Sequence, residues 1–142
     1  MKTNKEVLSS VIKTAQMGQV GIRAVLPYAV RQDLKDALRS QQDEYNMIER
    51  QAYEVASSRG WELNTLQPGA KTMAKLCTRC MLMGGHCDSK IAAMMINGNT
   101  RGMIKGLKNL HHGKVSDNAI QTLAHKLLDF ESANIRQMQG YV

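Results

Sequence analysis

The chain has 142 residues, a formal net charge of +7, 43% apolar and only 4% aromatic residues, two prolines and three cysteines. That length suits one domain over residues 1–142, and no apolar run approaches the ~20 residues needed to cross a bilayer. The opening "MKTNKEVLSSVIKTAQ" lacks the apolar core of a signal peptide, and an odd cysteine count makes no disulfide framework. The expectation is a cytoplasmic protein with no membrane partner.

Helical period runs along the chain. Leu8, Ile12, Ala15, Gln19, Ile22 and Leu26 keep 3/4 spacing, with Asn4 as N-cap and an end near Pro27 that trails to Val30. A second run, Leu34, Leu38, Gln41, Tyr45, Ile48, Ala52 and Val55, stops at Gly60, a residue suited to a helix C-terminus. "WELNTLQPG" is then a loop. A short third run, Met73, Leu76, Cys77, Cys80 and Met83, breaks at Gly84-Gly85. Asp88 or Ser89 caps a fourth helix reaching about His111. Asp117 caps the last, whose seam is Ile120, Leu123, Ala124, Leu127, Glu131, Asn134 and Met138.

Tight turns make antiparallel hairpins of the first and second helices and of the fourth and fifth. The stretch from Gly60 to Asp88 is long enough to cross to the other end. The fold class expected is all-α: a four-helix bundle with one long crossover, which is ferritin-like connectivity, and a short extra helix inside that crossover between helices two and four. The strings "AQMG", "DEYNMIERQA", "SKIAAMMINGNTRGMI" and "AHKLLDFESANIRQMQGYV" carry a resemblance over nearly the whole chain. It resembles a family of small ferritin-like proteins of Gram-positive anaerobes. The resemblance implies a fold and brings no activity with it.

Three candidate sites follow from residue type and spacing. The first is the bundle centre. Ferritin-like di-iron proteins need a Glu from each of two helices and Glu-x-x-His from the other two. Here the matching places read Glu44-Tyr-Asn-Met47 and Glu131-Ser-Ala-Asn134, with Gln16 or Gln19 and Asn99 on the other helices. Both histidines are absent. Two divalent ions require about four carboxylates, so a degenerate di-iron site is expected, with no catalytic residue and no cofactor. If iron or manganese binds at all, its ligands are Glu44, Glu131, Asn134 and Gln16. The preferred expectation is a polar layer in which Gln16, Gln19, Gln41, Asn99 and Asn134 donate to Glu44 and Glu131.

The second is "CTRCMLMGGHC". A helix puts Cys77 and Cys80 on the apolar side with Met73, Leu76 and Met83, where free Cys acts as a small hydrophobe. Zinc would need Cys77, Cys80, His86 and Cys87 to converge, a less favoured arrangement on a helix. The third is basic. Between Lys71 and Lys114 lie eight basic residues and one acid, while the remainder holds eleven of each. Lys71, Lys75 and Arg79 form one stripe, and Arg101, Lys105 and Lys108 another, as candidate anion-binding residues for a weak, non-specific anionic partner. Gly98, Gly102 and Gly106 recur every four residues, a face expected to lie close to a neighbouring helix or to a homodimer partner. The functional expectation is a non-catalytic binding or structural bundle. The alternatives are a metal-binding oxidase or storage protein with an atypical site, and a basic DNA-associating protein.

Overall fold

A computed structural model describes residues 2–63, 69, 74–75, 78–79 and 81–142. Four long helices occur among the described residues: α1 (Asn4–Val25), α2 (Gln32–Ser58), α3 (Cys87–His112) and α4 (Asn118–Gln139). No strand occurs among the described residues. Each helix carries an apolar stripe at 3/4 spacing and so must bury one side. The stripes close on one core that includes Leu8, Ile12, Leu38, Ile48, Ile91 and Ile120.

The ends of the helices have identifiable causes. Thr3, not Asn4, caps α1: its hydroxyl accepts from Glu6 N–H while the Glu6 carboxylate accepts from Thr3 N–H, a reciprocal capping box. Asn4 instead reaches the turn before α4, accepting from the Ser116 N–H at 3.0 Å. α1 tightens into a 3-10 turn over Leu26–Tyr28 at the proline. α2 ends as expected at Gly60, whose φ of 70° lets Trp61 N–H bond Ala56 C=O and Gly60 N–H bond Ser57 C=O. Asp117 caps α4 through Ala119 N–H.

The start of α3 departs from expectation. Gly84, Gly85 and His86 are three successive left-handed residues, so the helix begins at Cys87 without a side-chain cap. The Asp88 carboxylate binds elsewhere. Its two oxygens accept from Val30 N–H at 2.7 Å and Arg31 N–H at 3.0 Å. That pins the α1–α2 corner to the start of α3.

Cross-helix contacts give the topology. Gln19 meets Glu49, Ser10 meets Asn109, Gln41 meets Gln137 and Glu131 lies under Gly102. Each of these pairings joins antiparallel neighbours, so α1 and α4 run one way and α2 and α3 the other. The connection between α2 and α3 therefore joins opposite ends of the bundle. α1 and α4 also touch across the short diagonal, which leaves α2 and α3 at the two far corners.

Within the crossover, residues 74–75, 78–79 and 81–82 are helical. Thr78 and Leu82 are buried, four residues apart, whereas Met83, expected on the apolar side, is 71% exposed. Met81 is exposed as well, and Met73, Leu76, Cys77 and Cys80 of the expected apolar side lie outside the described residues.

Candidate functional site

The centre of the bundle holds a cluster of polar side chains from three helices. Tyr45 comes from α2, Asn99 from α3, and Glu131 and Asn134 from α4; all are at most 4% exposed. The Tyr45 hydroxyl donates to Asn99 Oδ1 at 2.8 Å across the long diagonal. Glu131 and Asn134 flank the same hydroxyl. Phe130 meets the Tyr45 ring edge-on at 4.7 Å between centroids.

Two glycines make room for these groups. A Cβ on Gly18 would lie 2.5 Å from the Tyr45 ring, and one on Gly102 would lie 2.7 Å from Glu131 Oε1. Bulky polar groups fit in the middle of this core because the helices opposite them present bare backbone.

Electrostatics make the cluster neutral. Burial pushes the Glu131 carboxyl up to about 8, with the Tyr45 hydrogen bond offsetting part of the shift. At neutral pH Glu131 is thus mainly a carboxylic acid that can donate as well as accept. Burial also raises Tyr45, and the Glu131 charge adds to it, so the phenol stays protonated. Glu131 Oε2, Asn99 Nδ2 and Asn134 Nδ2 have no hydrogen-bond partner among the described residues, so the layer satisfies only part of its own hydrogen-bonding capacity there.

Glu44 is a correction. It is exposed on the outer side of α2, because the inward ridge passes through Gln41, Tyr45 and Ile48 and leaves residue 44 one helical step outside. The anticipated repulsion between Glu44 and Glu131 does not arise. Gln16 and Gln19 are also elsewhere: Gln16 donates to the Tyr53 hydroxyl at 3.1 Å, and Gln19 to Glu49 at 3.0 Å. Gln41 donates to Gln137 at 2.9 Å, outside the central cluster. The residue missing from the expected site is Tyr45, whose hydroxyl links Asn99 to Glu131. Its place among Gln41, Ile48 and Ala52 marked it as a core residue, and the small Gly18 on α1 was the signal for a large ring opposite.

The donor set decides what the centre could hold. One carboxyl that prefers its proton, two amides and a phenol do not match the charge of two divalent ions. Among the described residues no three His, Cys, Asp or Glu side chains converge. Cys77, Cys80 and Lys71 lie outside the described residues. His86 is exposed and Cys87 is half-buried, its thiol 3.7 Å from Leu82 C=O.

Lys75, Arg79, Arg101, Lys105 and Lys108 are all exposed. The Lys105 ammonium is held below its ordinary range by partial desolvation and then by Lys2 and Lys13. The basic surface of α3 thus continues onto α1, a link invisible in a residue-by-residue reading. The glycine series splits. Gly102 and Gly106 lie against Glu131 and Leu128, but Gly98 has open space. A four-residue step drifts about 40° per repeat around a helix, so three such glycines cannot share one contact line. No protein family, curated protein or solved structure matches this chain.

Proposed function

We propose that the chain is a non-catalytic ferritin-like helical bundle, cytoplasmic, with a binding or structural role. What supports the ferritin-like reading is the single long crossover joining two antiparallel hairpins. What supports the non-catalytic reading is one observation above the rest: among the described residues Glu131 is the only carboxyl in the central cluster. A di-metal centre needs several ionised carboxylates at that place. Here a phenol and two amides stand beside one neutral acid, a composition that favours fixing the register of the helices over holding redox metal.

The test is growth with iron and manganese supplied, followed by metal analysis and oxygen consumption with ferrous ion. The expected result is no stoichiometric metal and no ferrous oxidation, with Glu131→Gln folded and unchanged in both assays. Two metals per chain that disappear in Glu131→Gln would overturn the reading in favour of an oxidase or storage protein.

A further inference from the structure

The two helices at the far corners carry opposite charge. α2 has six carboxylates and three basic residues, whereas α3 has four basic residues, two terminal histidines and a single acid, Asp88. Asp88 is already engaged by the backbone of Val30 and Arg31. The outward side of α3 therefore presents no available carboxylate.

The ridges are alike in pattern and differ in charge: that of α3 is wholly basic, and that of α2 has four carboxylates, Asp36, Asp43, Glu44 and Glu54, against one arginine, Arg50. Along α3 the solvent-facing line runs Asn97, Arg101, Ile104 and Lys108, flanked by Lys105 and Leu107, all exposed. Ile104 is 50% exposed at the middle of it. Along α2 the outward line runs Asp36, Ser40, Asp43, Met47, Arg50 and Glu54, with exposed Glu44 beside it; only Met47 is half-buried. Each line has an apolar residue at its centre with charges on both sides. Two copies meeting α3 to α3 would bring Arg101, Lys105 and Lys108 against their own kind, which is repulsive.

We propose that the chain self-associates by docking the α3 ridge of one copy on the α2 ridge of the next, Ile104 against Met47, with Lys105 and Lys108 against Asp43 and Glu44. Because α2 and α3 occupy opposite corners, one pair of copies cannot satisfy both contacts at once. The association is heterologous, so it builds rings or open chains in place of a two-fold dimer. A half-exposed isoleucine at the centre of the basic ridge favours a protein occupant over a phosphate backbone.

The experiment is sedimentation of the full chain over a range of concentrations at low and at high ionic strength. Expected is concentration-dependent assembly beyond the dimer at low salt that reverts to monomer at high salt. Two charge-reversed variants sharpen it: Lys105→Glu with Lys108→Glu on α3, and Asp43→Lys with Glu44→Lys on α2. Each alone is expected to be monomeric with wild-type helicity, and an equimolar mixture regains assembly. A wild-type chain that stays monomeric at low salt overturns the proposal. So does a salt-insensitive dimer, a mixture that fails to assemble from two folded variants, or a monomer whose α3 charges matter only for binding duplex DNA.

Discussion

At the scale of single residues, the pH behaviour of the fold should trace to Glu131. Its carboxyl titrates near 8 in the folded chain against an ordinary value of 4.5. Below 4.5 both the folded and unfolded forms hold the proton. Between 4.5 and 8 only the folded form does, so stability falls as pH rises, by about 1.4 kcal/mol per unit at most, and levels off above 8. Glu131→Gln removes that slope. Denaturant melts at about pH 5 and about pH 8 should find the variant near wild type at the first and more stable, by a few kcal/mol, at the second. A wild-type profile as flat as the variant's would mean the carboxyl is not held neutral.

The glycines of α1 give a paired prediction at the same scale. Gly18 and Gly21 are three residues apart, and helix propensity alone favours Ala at either by about 1 kcal/mol. Gly21 has open space, but a Cβ at Gly18 would strike the buried Tyr45 ring at 2.5 Å. Gly21→Ala should therefore stabilise, and Gly18→Ala should destabilise by about 1–3 kcal/mol, the usual cost of overpacking. Thermal melts of the two variants check it; equal shifts of the same sign would contradict the placement of Tyr45.

At the scale of elements, the four long helices, their order and their approximate ends were legible because apolar period and Gly, Pro and Asp signals act locally. Pro27, Gly60 and Asp117 did what their chemistry dictates. Asp88 and Asn4 did not, since their side chains found long-range partners that no local pattern records. The central site was half legible for the same reason. Glu131 and Asn134 lie on the seam of their own helix, but Glu44 sits one step off its seam, and that distinction depends on how far α2 is rotated in the bundle. Asp88 offers a test of such long-range pinning. Asp88→Ala removes the acceptor of two backbone N–H groups at the α1–α2 corner and should cost about 1.5–3 kcal/mol, the range for hydrogen bonds to a charged group. Hydrogen exchange at Val30 and Arg31 should accelerate in the variant more than exchange along α4.

At the scale of the whole molecule, the excess charge was legible as one segment, residues 71–114, but its shape was not. Folding lays α1 antiparallel beside α3 and brings Lys2 and Lys13 toward Lys105. It also sets the acidic α2 at the opposite corner. Among the described residues the basic excess thus gathers on the α1–α3 side, where a polyanion is expected to bind if one binds. No Phe, Trp or Tyr occurs between residues 62 and 129, so base stacking has no platform there. Ile104 stands in the middle of the basic ridge, where a phosphate contact gains nothing from it. Duplex DNA binding should thus be weak and independent of sequence, carried by phosphate neutralisation alone. If about four phosphates are engaged, the logarithm of affinity falls with that of salt at a slope of roughly −3 to −4. Titrating two unrelated labelled duplexes at several salt concentrations measures both the slope and the preference. Lys105→Glu with Lys108→Glu should flatten the slope by about two and leave the two duplexes equivalent. Tight binding at physiological salt that prefers one duplex would place a specific nucleic-acid site on α3, and the apolar centre of its ridge would then need another explanation.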